Sequence, residues 1–343
     1  MDSITQAALG ATVAGAIAGK RCNGKVLLAG ALLGTLPDLD VFIDYGDDIS
    51  NTVKHRGFSH SLLILLPFSL ILAGLVQRLK PLADWSFARL WLLVAACLIT
   101  HPLLDTFTSY GTQLLWPIAG YFSLSSIFII DPLYTLPLLT ALGIGMVRKA
   151  SLARYCVIAL CISSVYLSWS LAAKVYVEQR ALASLNALGI ADDTVFITPT
   201  PFNTLLWRIV VIDGDRYWEG LASVLDNKPQ VEFIAQQRGH WPFENEPQLL
   251  QALATFTHGF IRFEQQGEQL LVTDLRLGMY GNLAFKFVFA ERNNQGQWQS
   301  VVPYRLERGE IKGDLAKLKD RALGDQKINP SLGLCPSPCQ LEP

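Results

Sequence analysis

Apolar residues run in long blocks up to about residue 175 and in short, partly alternating stretches beyond it. About 20 apolar residues carry a helix across roughly 30 Å of hydrocarbon. "SLLILLPFSLILAGLVQ" (61–77) and "LWLLVAACLITHPLL" (90–104) approach that length, and "SSIFIIDPLYTLPLLTALGIGMV" (125–147) and "YCVIALCISSVYLSWSLAA" (155–173) reach it. Two earlier runs, 4–19 and 26–36, are shorter and rich in Gly and Ala, with small residues at Gly10, Ala14 and Ala18. Such spacing lets helix backbones approach closely, so this pair is expected to cross as thin helices or to dip in and return as a hairpin.

Past residue 175 the period changes. "LLWRIVVI", "FIRFEQQGEQLLVTDLRLG" and "AFKFVFAERNNQGQWQSVVPYRLE" are β-rich runs divided by Gly turns. They predict an antiparallel sheet of about four to six strands, with helical segments near 176–189 and 246–257. The expected fold is an α-helical polytopic membrane domain (1–175), a soluble, mainly antiparallel β domain of α+β type (176–320) and a flexible tail (321–343).

Composition strengthens the membrane reading. The chain is 51% hydrophobic and only 17% charged, below the quarter or so of charged residues usual in soluble domains. A net charge of −1 and the lack of a basic run interleaved with aromatics argue against nucleic acid as a partner. The N-terminus lacks the basic region of a signal peptide and is read as a retained helix. Of the six cysteines, Cys97, Cys156 and Cys161 lie in apolar runs, whereas Cys335 and Cys339 in "CPSPC" are spaced to pair.

Charge then sets an orientation. Lys20, Arg21 and Lys25, then Arg78, Lys80 and Arg89, then Arg148, Lys149 and Arg154 fill alternate connections, which the positive-inside rule places in the cytoplasm. The N-terminus, the 37–60 and 105–124 loops and the C-terminal domain fall on the other side. Ionisable residues at the run ends gather at that same face: Asp2, "LPDLD" (Asp38, Asp40), "HRGFSHS" (His55, Arg56, His60), "HPLLD" (His101, Asp105) and "IIDP" (Asp131).

Each piece alone has an ordinary reading, such as a solvated loop, an interfacial His–Asp pair or, for Asp131 before Pro132, a helix N-cap. His101 and Asp105 are i and i+4, about 6 Å apart at Cβ on a helix, a spacing that suits a metal or a carboxylate-oriented imidazole. His101 is expected near a helix start or kink because Pro102 follows it. Gly57 is expected to free the backbone between His55 and His60, with Ser59 capping a helix that begins at His60. Three of five histidines and several aspartates at one depth favour a shared site.

Together "MDxxTQ", "LPDLD", "HRGFSHS", "HPLLDTFTSYGTQLLWP" and "FIIDPLYTLPLL" resemble the YdjM-like family of bacterial inner-membrane, metal-dependent hydrolases, also described as LexA-binding. The resemblance covers roughly residues 1–180. It implies a polytopic inner-membrane protein with a divalent-metal site, carried here by His55, His60, His101 and Asp105 with Asp38, Asp40 and Asp131. The family's "THxxxG" falls on Thr5 and Gln6. Glutamine is a poor metal ligand, so that role passes to Asp2, Asp38 or a water.

Mixed His and carboxylate sets suit Zn²⁺, or alternatively Mn²⁺. The expectation is therefore a hydrolase at the non-cytoplasmic interface acting on a lipid-like or phosphate- or ester-containing envelope substrate. His55, His60, His101 and Asp105 would bind one or two metals, Asp38 or Asp40 would complete the set or act as general base, and Arg56 would receive an anion. Asp2, Gln6 and Asp131 are candidates for ligands or for orienting them. The rival is a non-catalytic envelope binding or structural protein with a vestigial site.

Overall fold

In the computed structural model, the described residues are 1–79, 85–148, 151–191, 194–307 and 315–333. The Cys335–Cys339 pairing lies outside them. The chain divides into two compact units: Met1–Ile43, His55–Leu171 and Pro201–Asn203 form the first, and Asp44–Lys54, Ala172–Thr200 and the chain from Thr204 onward form the second.

The first unit is helical: α1 (Ser3–Ala18), α2 (Gly24–Thr35), α4 (Leu62–Leu79), α5 (Phe87–Asp105), α6 (Pro132–Val147) and the first part of α7 (Leu152–Leu188). Of these, α4, α5 and α7 are long and apolar enough to cross a membrane, and α6 is a shorter apolar helix. On α4, Leu63, Leu66, Leu70 and Ile71 are exposed. So many bare aliphatic side chains on one helix make sense in lipid rather than in water.

The α1–α2 pair packs as the small residues predicted. A Cβ placed on Gly30 would lie 2.4 Å from the Gly10 carbonyl oxygen and 2.4 Å from the Ala14 Cβ. The two backbones touch at this crossing, where only glycine fits. Side chains of α1, α5 and α6 then build the core around Leu9, Val13, Cys97, Leu104, Tyr134 and Leu138.

Several element boundaries differ from expectation. His101 and Pro102 sit inside the last turns of α5 rather than at a helix start. Helix α4 begins at Leu62, after a 3₁₀ turn over Phe58–His60, so Ser59 does not cap it. The run at 155–173 and the expected helix at 176–189 are one continuous helix, α7, with no break between.

In the second unit, two four-stranded antiparallel sheets take the orders β1-β2-β3-β4 and β10-β9-β6-β5, and a two-stranded ribbon β7-β8 accompanies them. Their ranges are β1 (Val195–Pro199), β2 (Leu206–Asp213), β3 (Arg216–Ser223), β4 (Phe233–Gln237), β5 (Ile261–Gln266), β6 (Gln269–Asp274), β7 (Gly278–Met279), β8 (Asn282–Leu283), β9 (Lys286–Arg292) and β10 (Trp298–Arg305). Helices α8 (Gln248–Phe256) and α9 (Leu315–Ala322) complete the unit. Trp207, Tyr217, Phe260 and Phe287 are buried core residues. Helix α3 (Asp48–Lys54) also folds with this unit, packed against α8 and β10, and Asp48 accepts the Arg305 backbone N–H at 2.7 Å.

Candidate metal centre

Chain segments from four places converge in the first unit. The 3₁₀ segment Leu36–Phe42 brings Asp38 and Asp40, the turn before α4 brings His55, Arg56 and His60, the end of α5 brings His101 and Asp105, and α1 brings Gln6. His60, His101 and Asp105 are fully buried, and Gln6 is buried beside them.

The hydrogen bonds fix both buried histidine tautomers. His101 Nδ1 donates to the Gly34 carbonyl at 2.5 Å. Ser59 Oγ donates to Asp40 Oδ2 at 2.7 Å, so its lone pair accepts from His60 Nδ1 at 2.8 Å. In each neutral ring the lone pair is therefore on Nε2, and the two Nε2 atoms face each other at 3.1 Å. Two facing acceptors repel unless one ring is also protonated at Nε2 or a metal cation lies between them.

Two carboxylate oxygens complete this set. Asp38 Oδ1 lies 3.4 Å from His60 Nε2 and 3.3 Å from His101 Nε2. Asp105 Oδ2 lies 3.4 and 3.5 Å from the same atoms, and this buried oxygen accepts no hydrogen bond among the described residues. Ligand bonds of roughly 2.1 Å give a tetrahedron with edges of about 3.4 Å. The five separations, 3.1 to 3.5 Å, match such edges. The donor set thus fits a divalent ion on geometry and on the orphaned oxygen.

A second group, Asp38, Asp40 and His55, also brings ligand atoms within 4.8 Å of one another. His55 Nδ1 is 2.9 Å from Asp40 Oδ1. Burial is the largest influence on Asp38 and opposes its ionisation, but the imidazoles of His101 and His60 outweigh it and hold the carboxyl well below its usual range. Burial likewise opposes ionisation of Asp40, and His55 and Ser59 outweigh it. Both carboxylates are thus charged at neutral pH, as ligation requires.

Arg56 is buried under the centre. Its Nε is 3.3 Å from Asp105 Oδ2, one terminal nitrogen donates to Thr108 Oγ1 at 3.3 Å, and the guanidinium lies over the Tyr110 ring at 5.0 Å. Gln6 turns its amide nitrogen to Asp105 Oδ1 at 3.0 Å and to the His101 carbonyl at 3.3 Å. It orients the carboxylate, in the manner of groups that stand behind metal ligands.

Asp2 and Asp131 are not in either ligand group. Asp2 caps α1 and binds Thr5, while Asp131 caps α6 and accepts from the Tyr166 hydroxyl at 2.8 Å. Sequence reasoning missed the Met1 amino group, which contacts Asp105 Oδ1, and the Gly34 carbonyl that orients His101. Backbone groups carry no residue-type signal, so no pattern could have found them.

Uncharacterized protein YfhP of Bacillus subtilis (strain 168) is 25% identical over 214 residues, 60% of this chain and 63% of that protein. Inner membrane protein YbcI of Escherichia coli (strain K12) is 33% identical over 120 residues, 33% of this chain and 66% of that one. The chain thus spans a little under two thirds of the length of each relative. No solved structure matches it. The model of the YdjM inner membrane protein family matches residues 1–177, the segment that holds every residue of the centre, and the chain belongs to that family as a multi-pass inner-membrane protein.

Proposed function

We propose that the protein is a metal-dependent hydrolase acting at the non-cytoplasmic membrane interface on a lipid-like substrate that carries a phosphate or ester. The observation that carries this reading is the pair of buried imidazoles with facing Nε2 atoms at 3.1 Å, completed by the orphaned Asp105 oxygen. His60, His101, Asp38 and Asp105 hold the ion, with zinc favoured by two imidazoles and manganese the alternative. A bound ion of this kind polarises a substrate oxygen and lowers the pKa of water.

The chain's own residues do the rest. Arg56 is fixed against Asp105, Thr108 and Tyr110 and receives an anionic group of the substrate. Asp40 holds the turn that carries His55, Arg56 and His60. Helices with lipid-exposed leucines bring the centre to the membrane, which favours a substrate that resides there. The basic residues in alternate connections support a C-terminal domain outside the cytoplasm.

Purified full-length protein in detergent micelles tests the reading against a panel of phosphoesters and carboxylic esters. Hydrolysis that is lost on chelation and restored by zinc or manganese is expected. The reading fails if the wild type carries no stoichiometric metal, or if His60→Ala with His101→Ala leaves the metal content unchanged. Metal without hydrolysis of any ester would favour the binding protein with a vestigial site.

A further inference from the structure

We infer that the cluster is a two-ion centre in which Asp38 is the shared ligand, with a closed, buried position and a second, open one that meets the substrate. This rests on the metal-dependent reading above and adds the division of labour within it. The buried position already has four protein donors, His60, His101, Asp38 and Asp105. Four donors fill a tetrahedral ion, which is the signature of a structural site, whereas a catalytic site keeps a position free. By itself the buried position would admit a substrate oxygen only by expanding to five-coordinate.

The second group supplies what the first lacks. Asp38, Asp40 and His55 are three donors, so an ion there keeps open positions. Access to this group comes through His55, whose side chain is 23% exposed, and the shared Asp38 at 20%; Asp40 is at 1%, and His60, His101 and Asp105 are at 0%. The 2.9 Å between His55 Nδ1 and Asp40 Oδ1 suits a hydrogen bond, and it equally suits two neighbouring ligands on one ion with bonds of about 2.1 Å. A carboxylate has two oxygens, and Asp38 belongs to both groups.

Ligand chemistry separates the two positions. Two imidazoles with two carboxylates suit zinc, whereas two carboxylates with one imidazole and open positions for water shift the preference toward a harder ion such as Mn²⁺. Charge points the same way. Asp38, Asp40 and Asp105 carry three negative charges, and the Arg56 guanidinium against Asp105 offsets one of them. One divalent ion offsets the remaining negative excess, and a second leaves a positive surplus that suits a substrate with an anionic phosphoester group better than a neutral ester.

The test is Mn²⁺ titration of the metal-free full chain in detergent, read by bound-metal analysis and by electron paramagnetic resonance. Two ions per chain are expected, the second at least tenfold weaker, with the spectrum changing from that of isolated Mn²⁺ to that of a magnetically coupled pair as the second binds. His55→Ala and the milder His55→Gln should each bind one ion and show only the isolated spectrum. Saturation of the wild type at one ion, a second ion without coupling, or two ions retained in both His55 variants overturns the two-ion centre and leaves the metal-dependent reading standing. Absence of any bound ion in the wild type overturns both.

Discussion

Asp40 Oδ2 accepts the backbone N–H of Arg56 at 2.9 Å, at a residue whose φ is +62°. A left-handed conformation is costly for a non-glycine residue, on the order of 1–3 kcal/mol, and persists only where the surroundings hold it. Asp40 does so with one carboxylate: it also takes the Ser59 hydroxyl at 2.7 Å and meets His55 at 2.9 Å. Asp40→Asn replaces one of these acceptor oxygens with a donor. The affinity of the buried position, of which Asp40 is not a ligand, is expected to fall about 10- to 100-fold, the usual range for groups behind metal ligands, with helical content unchanged by circular dichroism. An affinity equal to that of the wild type would mean that the turn is set elsewhere.

Gln6 offers the opposite experiment. Its amide reaches Asp105 and the His101 carbonyl, and its buried Oε1 has no hydrogen-bond partner among the described residues. Gln6→His puts an imidazole, the residue type that the resemblance implies there, beside the orphaned Asp105 oxygen. The variant is expected to bind zinc more tightly, by about tenfold, in competition with a chelating dye. Weaker binding would show that the glutamine amide, through Asp105, is the better fit in this chain.

How far the site was legible in the sequence follows from what each signal encodes. Histidines and aspartates at the run ends were visible as residue types, and charge counting put them at one depth. Their division into a closed set and an open one was not visible, because it depends on which oxygen of Asp38 and Asp105 faces which imidazole. The turn at "HRGFSHS" uses its glycine as expected, since Gly57 takes φ −87° and ψ −114°, outside the regions side chains allow, but the left-handed residue is Arg56. Propensity favours Gly57 there, and the Asp40 carboxylate overrides it from 16 positions away. In the second unit the β-rich pattern was readable, but two separate sheets were not, since strand partners depend on long-range pairing.

The α1–α2 crossing should tolerate no added side chain. A Cβ on Gly30 would meet the Gly10 carbonyl oxygen and the Ala14 Cβ, both at 2.4 Å, and backbone cannot swing aside as a flexible side chain can. Gly30→Val is expected to cost at least 1–3 kcal/mol, as overpacking does, and to lower the thermal unfolding midpoint in detergent by several degrees. It should also weaken metal binding, because Gly34, one turn on, carries the carbonyl that orients His101. Gly143, whose added Cβ would have nothing within 4 Å, is the control: Gly143→Ala should leave both properties near wild type.

The second unit holds a buried ion pair whose energetics separate pairing from burial. Arg208 on β2 donates from Nε to Glu219 on β3 at 2.8 Å and from a terminal nitrogen to the Leu275 carbonyl at 2.6 Å. Both side chains are almost wholly buried, so neither charge keeps its water when the other is removed. Arg208→Met is therefore expected to destabilise the unit by about 3–5 kcal/mol, the cost of leaving a carboxylate buried and unpaired. Arg208→Met with Glu219→Leu removes both charges and should recover most of that loss, since apolar side chains of similar size often match a buried pair in stability. Urea unfolding of the full chain in detergent, followed by tryptophan fluorescence, reports on this region because Trp207 and Trp218 lie on the same two strands. A double variant as unstable as Arg208→Met would show that the pair, rather than the avoidance of an unpaired charge, holds β2 to β3 and to Leu275.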